Sequence, residues 1–437
     1  MLSSSGNKLI VNLQKILFQL LVFLLPSQLA KHFWPSWSLV WGIRVDYLAP
    51  TIYLTDLIII SVLLLWAFEL LSQRKKVRNK LKQKRKIYTY FLLAFAVFAV
   101  VNVMLSTNRE VNILKWLKLF ELSLLAIYVS RVKFNYKEWF IKPLVVSVIF
   151  FSVIGIIQFT NQRTIGGLMY IFGERSFNSG TPGIALVNIS GKNYMRAYST
   201  FGHPNALAGY LSVVLLIFVD SIKRKIYAGK IIYIALAFSI LGLILTFSKT
   251  VIVVLFILVF LYLIVERKRV NKRRLFGSIL FVVIILSLLS PIIYKNVFTS
   301  NNLNENISNR VELSLLSGKL LSRSPVVGIG LNNFITNIPK ISTAYSVSWL
   351  LQPVHNSILL TATGAGLVGL AIFVFAVYKA IINSLKYNEI FAWVLIAIMF
   401  TGLLDHYWLT LQQNMIIVFI VLGLAFCNSV SAKGSNN

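Results

Sequence analysis

One cysteine, Cys427, stands among 437 residues. It excludes an intramolecular disulfide and any CxxC metal site, and it says nothing about redox compartment. Acidic residues are scarce, 13 Asp and Glu against 43 Lys and Arg. Charged residues of both signs make up 13% of the chain and hydrophobic residues 57%. A soluble domain has about 25% and 45–50%, so an ordinary soluble protein is excluded. The net charge of +30 raises nucleic acid as a partner. That partner is excluded too, because the basic residues sit between apolar segments and form no soluble face. There is no repeat of the solenoid kind, and no inverted duplication of the halves such as secondary transporters often carry.

What the chain does have is long apolar runs. Ile87–Leu105 reads IYTYFLLAFAVFAVVNVML, long enough to cross a bilayer as a helix. Twelve such segments occur, at 9–25, 52–71, 87–105, 112–130, 141–159, 204–220, 230–247, 250–265, 275–293, 357–382, 389–405 and 407–427. The first ends at Pro26 with no small-x-small cleavage site behind it, so it reads as a retained helix. Segments seven and eight join at Thr246–Lys249 as a tight hairpin. The expectation is an all-α polytopic membrane protein: residues 1–437 as one integral domain of about twelve spans.

Short-loop lysines and arginines set the orientation. The loop after segment two runs from Arg74 to Lys86 with nine of them; the loops after segments four, six and eight are also rich. The alternate loops hold Arg109 alone, Lys249 alone, or none. Both termini are therefore expected in the cytoplasm. That places two long connections, 160–203 and 294–356, outside the cell. Long connections in a compact protein are usually functional or disordered. These two mix Trp, Tyr, Phe, Gly and Pro with polar residues, so folded structure is expected.

Polar chemistry is concentrated in a few places. Lys115, Lys118 and Glu121 lie within segment four, and the last two, three apart, share a helix face. They read as a pair near the membrane boundary with snorkelling lysines, or as a substrate contact. The first outer loop ends in Arg196-AYSTFGHPNALAGYL. Pro204 suits a first helical turn, and His203 or Asn205 either caps that helix or points into a cavity. Arg196 offers a planar fork of donors suited to phosphate, or is a headgroup arginine. In the second loop, Leu313, Leu316 and Leu320 form one stripe of a short helix expected to lie flat on the membrane. Gly328 and Gly330 follow in a turn that admits close backbone approach, with no Rossmann pattern before it. His355 and Asn356 then begin segment ten, where Gly364, Gly366 and Gly369 read as helix-packing residues.

Four patches in order resemble the O-antigen ligase and polymerase superfamily: R-x3-TF-x-HPN-x-LAGYL at Arg196–Leu211, Ser248-Lys249, Arg310 followed by SP-x-x-G-x-G-x-x-x-F at Ser324–Phe334, and HN-x9-G-x-x-G at His355–Gly369. The resemblance covers about 150–405. The family's turn usually reads Ser-Arg; Lys249 keeps the charge and loses the bidentate fork.

The resemblance implies a GT-C-like, metal-independent glycosyltransferase without cofactor in the bacterial cytoplasmic membrane. It would take a glycan from an undecaprenyl-diphosphate donor and pass it to a glycan, lipid or protein acceptor at the extracytoplasmic face. With that chemistry His355 is expected as the base for the acceptor hydroxyl, or as a group that holds acceptor or phosphate, with Arg196 and Arg310 as catalytic cations at the diphosphate. Lys249, His203, Asn205, Asn356, Gly328 and Gly330 are the expected substrate contacts. A polymerase with the same donor and a lipid-linked oligosaccharide flippase are the alternatives. No acidic pair of the glycoside-hydrolase kind is present in the outer loops, where Glu174, Glu305 and Glu312 are isolated.

Overall fold

The computed structural model describes residues 4–72, 85–133, 135–227, 229–267, 271–297, 305–340 and 351–427. In chain order its helices are α1 (Ser4–Phe23), α2 (Leu54–Ser72), α3 (Arg85–Met104), α4 (Arg109–Arg131), α5 (Lys142–Asn161), α6 (Pro204–Lys223) and α7 (Lys230–Leu245). They continue with α8 (Lys249–Arg267), α9 (Lys272–Val297), α10 (Glu305–Arg323), α11 (Ser357–Tyr387), α12 (Ile390–Gly402), α13 (Tyr407–Thr410) and α14 (Gln412–Ala425). A helix falls on every apolar segment; α10 lies outside them, and α13 and α14 share the last. Among the described residues, five helical stretches are long and apolar enough to cross a membrane: α2, Lys137–Asn161, α6, Lys272–Pro291 and α11. Stretches in α3, α7, α8, α12 and α14 are apolar but shorter. The protein is mostly helical and polytopic.

Packing follows the apolar faces. From Ile390 to Met399 every residue of α12 is buried, which makes it the axis of the bundle. Around it one continuous core holds Phe18, Tyr128, Phe140, Phe218, Phe391 and Trp393. α1 lies on α2 and α5, α4 on α14, and α5 on α7.

Three loop segments gather over the bundle. Residues 24–53 form one of them. There β1 (Ala30–His32) pairs antiparallel with β4 (Thr51–Tyr53), and β2 (Leu39–Val40) with β3 (Ile43–Arg44). In the second, β5 (Leu186–Ile189) and β6 (Lys192–Met195) make a hairpin with Leu186 opposite Met195. The third joins α10 to α11.

That third segment corrects one expectation. The helix carrying Arg310 spans nineteen residues, and its Leu313, Leu316 and Leu320 stripe is buried in protein. It packs with Ile329, Phe334 and Val354, so it does not lie on the membrane. An apolar stripe at helical spacing has the same pattern whether it faces lipid or a core.

The glycines also have a more specific use than helix packing. At Gly366 α11 breaks, with φ 66° and ψ −176°. The 324–330 turn fills the break: Ile329 and Gly330 N–H donate to Thr363 and Gly364 O, and Leu367 and Val368 N–H donate to Pro325 and Val326 O. Gly328 and Gly330 have φ 77° and 101° and are buried in this joint. Asparagines lock it from the α3–α4 side. Asn102 Nδ2 donates to Val327 O (2.8 Å) and Gly364 O (3.0 Å), and Asn112 Oδ1 accepts from Leu331 N (3.0 Å).

A side chain at Gly366 would place Cβ 2.2 Å from Val326 O, whereas Gly167, at φ 59°, has nothing within 4 Å. Both substitutions to alanine carry the cost of a left-handed conformation, about 1–2 kcal/mol. Gly366→Ala adds a backbone overlap, so it should lower the melting temperature of the detergent-purified protein well beyond Gly167→Ala. Equal shifts would mean the joint is not a tight contact.

Candidate active site

Asp405 lies between α12 and α13, with its side chain buried. Its Oδ1 lies 3.3 Å from His355 Nδ1 and accepts from the His406 backbone N–H at 2.8 Å. Its Oδ2 accepts from Asn205 Nδ2 at 3.1 Å, and its backbone carbonyl accepts from Ser357 Oγ at 2.9 Å. A carboxylate only accepts, so His355 donates Nδ1–H to it and presents Nε2 to a second partner. That nitrogen lies 3.3 Å from Gln352 Oε1, on the wall of a large cavity.

Both arginines converge on Asp405, each through one intermediary. Arg196 Nη2 donates to Asn205 Oδ1 at 2.7 Å, and its Nε donates to Thr246 O at 2.5 Å. Arg310 Nη1 donates to Leu404 O at 3.1 Å, one residue before the carboxylate. Neither is among the described residues lining the cavity. Lys249 is exposed at the start of α8, three residues after Thr246. His203 caps α6, its Nδ1 accepting from Asn205 N at 3.1 Å, while its ring faces the cavity. Asn356 caps α11, its Oδ1 accepting from Ile358 and Leu359 N. Gly328 and Gly330 belong to the α11 joint and do not line the cavity.

The cavity holds about 1190 Å³ and is lined by His203, His355, Asp405 and His406 at its polar end. Residues with no part in the sequence reading complete that end. Tyr47, from the 24–53 segment, meets the His406 ring edge-on at 5.5 Å, and the His406 ring is 5.0 Å from that of His355. Arg175 also lines it and donates to Gly202 O at 2.8 Å. Asp405-His406 had one signal in the sequence: a carboxylate beside a histidine, between two apolar spans. Tyr47 and Arg175 had none.

Lys118 and Glu121 pair as expected, at 3.0 Å, and Lys118 also reaches Asp56 of α2 at 2.7 Å. All three line the cavity. Glu174 is structural: its carboxylate accepts from Gln158 Nε2 and from the N–H of Ile165 and Gly166.

His355, Asp405 and His406 bring donor atoms within 4.8 Å of one another, a spacing that a metal ion can use. Most of these donors are already committed. Both Asp405 oxygens accept hydrogen bonds, and His406 Nδ1 bonds Thr410 Oγ1 at 2.8 Å. Two guanidinium groups stand behind them. The set does not fit a cation. Burial alone would raise the Asp405 carboxyl, but the hydrogen bond and charge of His355, with His406 and His203, hold it well below the usual carboxylate range. Burial, followed by the charge of His355, pushes His406 down to about 3, so its ring is neutral.

Membrane-crossing helices and an imidazole–carboxylate–guanidinium cluster under their loops define an integral membrane protein with a buried ionisable centre. The O-Antigen ligase family model matches residues 234–374, and the chain carries a region of the O-antigen ligase superfamily. The matched stretch includes Lys249, Arg310 and His355, and stops short of Arg196 and Asp405 on either side. No curated protein matches the chain. At family level the match supports a membrane glycosyltransferase of ligase or polymerase type.

The folded chain refuses a proton at His406 until about pH 3, whereas an unfolded histidine accepts one near 6.5. Between those values the unfolded state binds more protons. The contribution of His406 is therefore full above pH 6.5 and is lost on acidification, by at most about 1.4 kcal/mol per pH unit. Asp405, with its folded pKa depressed, contributes above its unfolded value of about 3.9 and adds no slope in the range tested. The melting temperature should fall from pH 7.5 to 5, and less so in His406→Gln. An identical fall in both proteins would remove His406 as the cause.

Proposed function

We propose that the chain is a twelve-span, GT-C-type glycosyltransferase of the bacterial cytoplasmic membrane. It moves a glycan from undecaprenyl diphosphate to an acceptor hydroxyl at the extracytoplasmic face, in the manner of an O-antigen ligase. The observation that carries the reading is the His355–Asp405 pair at 3.3 Å, which fixes the ring with Nε2 at the cavity wall.

The step follows from that arrangement. Nε2 takes the proton as the acceptor oxygen attacks the anomeric carbon. A carbon–oxygen bond to the acceptor forms and the bond to the diphosphate oxygen breaks, so the electron pair leaves with the diphosphate and the configuration inverts. Asp405 stabilises the imidazolium that results. Arg196 and Arg310 supply a fixed positive field for the departing charge and hold Asp405 from two sides. No metal takes part. The orientation rests on the basic loops, which put both termini in the cytoplasm and the Asp405 centre outside. Polar groups collected at one end support surface chemistry over a transport path.

Ligase and polymerase use this centre alike and differ in the acceptor. Incubating purified protein and lipid-linked donor with a core-lipid acceptor, or with donor alone, separates them: glycan moved to the core lipid supports ligase, chain growth on the donor supports polymerase. His355→Ala and Arg310→Ala should each cut transfer by about 100-fold or more at normal protein level. Asp405→Asn should do nearly as much. Transfer undiminished in any of them removes that residue from the centre. Lys249→Arg should be tolerated and Lys249→Ala impaired. A chelator should leave the rate unchanged, and loss restored by a divalent cation would overturn the metal-free step.

A further inference from the structure

A second ionic cluster lies at the far end of the bundle. α6 starts beside the Asp405 centre, where Asn205 bonds the carboxylate, and ends at Lys223. Its 20 residues span about 30 Å, the thickness of a hydrocarbon layer. α12 packs alongside and runs back, from Glu389 at its N-cap to Gly402, shortly before Asp405. The cluster and the centre therefore stand at opposite ends of the same two helices.

The cluster encloses a cavity of about 210 Å³, lined by Asp220, Lys223, Arg224, Tyr262, Lys272 and Glu389. Sites for drug-sized ligands hold roughly 300–1,000 Å³, so this one suits an ion or a small headgroup. Both carboxylates are paired within the protein. Asp220 Oδ1 lies 3.0 Å from Arg224 Nε. Glu389 Oε2 accepts from Lys272 Nζ at 2.5 Å, and its Oε1 from Trp393 Nε1 at 3.2 Å. The donors are in surplus. A guanidinium has five N–H groups, of which one carboxylate engages at most two, and an ammonium has three. Tyr262 Oη accepts from Lys223 Nζ, which leaves the Tyr262 hydrogen for another acceptor. Among the described lining residues, three cations face two carboxylates. A cluster that only tied helices together would close on itself; this one keeps a void between its cations. The group missing from it is an anionic acceptor.

We infer that this cavity is a phosphate site at the face opposite the centre. Arg224 and Lys272 grip the phosphate oxygens, and Tyr262 donates to one of them. A planar guanidinium fork suits two oxygens of one phosphate. Basic pockets between membrane helices at the water boundary match such a group. A lipid headgroup in the leaflet and a free phosphate in the adjoining solution both offer it. The site needs nothing from the transfer chemistry. In the orientation proposed above it faces the cytoplasm.

Binding is measured on the full chain purified in dodecyl maltoside. The probes are dioleoylphosphatidylglycerol, dioleoylglycerol, which lacks the phosphate, and inorganic phosphate. Phosphatidylglycerol should raise the melting temperature saturably, and dioleoylglycerol should not. Lys272→Gln should weaken binding about tenfold, as loss of one charged hydrogen bond. Tyr262→Phe keeps the ring beneath Lys223 and should weaken it severalfold. Glu389→Gln breaks the same ion pair as Lys272→Gln but removes a negative charge from the lining, so it should tighten binding. Phosphatidylglycerol that inorganic phosphate cannot displace identifies the headgroup as the source. Saturable binding of inorganic phosphate that displaces the lipid identifies the free anion. Either result supports the site. Equal stabilisation by dioleoylglycerol, no binding of either phosphate probe, or equal losses in Lys272→Gln and Glu389→Gln overturns it, as does unchanged binding in Tyr262→Phe.

Discussion

The buried Asp405 carboxylate is the constraint on which the centre depends. A charge taken out of water must be matched, and here each oxygen is. One oxygen holds the His355 ring and the His406 backbone; the other holds Asn205 and, through it, Arg196. Arg310 secures the preceding carbonyl. Four separate parts of the chain, around 196–205, 310, 355 and 404–406, are thereby tied to one group. Taking out one partner would leave a buried ion uncompensated, which is why the cluster behaves as a unit.

The α11 break serves the same end. A straight helix from Ser357 would have no free backbone groups in mid-length. With Gly366 in a left-handed turn, the 324–330 segment docks backbone to backbone against it, and the asparagines of α3 and α4 close the other side. The segment that follows α10 is thus anchored to the helix whose N-cap, Asn356, directly follows His355. Stiffness at the joint holds the imidazole where the carboxylate can reach it.

Much of the site was legible beforehand, and for traceable reasons. Histidine, arginine and asparagine at the borders of apolar segments are rare enough to be noticed, and Arg196, Asn205, Arg310 and His355 all reach the Asp405 neighbourhood. The glycines were legible as special, but their work is in the joint. The stripe on α10 had the right period and the wrong partner, because periodicity reports a face and not what covers it. Residues 24–53 passed as a connector, since their strands are two or three residues long.

The amino-acid sequence alone determined the helical membrane architecture and the alternation of basic loops, because both depend on local composition: apolar length for the helices, charge count for the loops. It also carried the family motif. Only the tertiary structure decided that Asp405 is the hub, that the arginines act on it through Asn205 and Leu404, and that Lys118 finds Asp56 on α2. Apart from Arg196 and Asn205, 9 positions apart, those are pairings between residues 50 to 200 positions apart in the chain. No local pattern encodes them; packing around α12 brings them together.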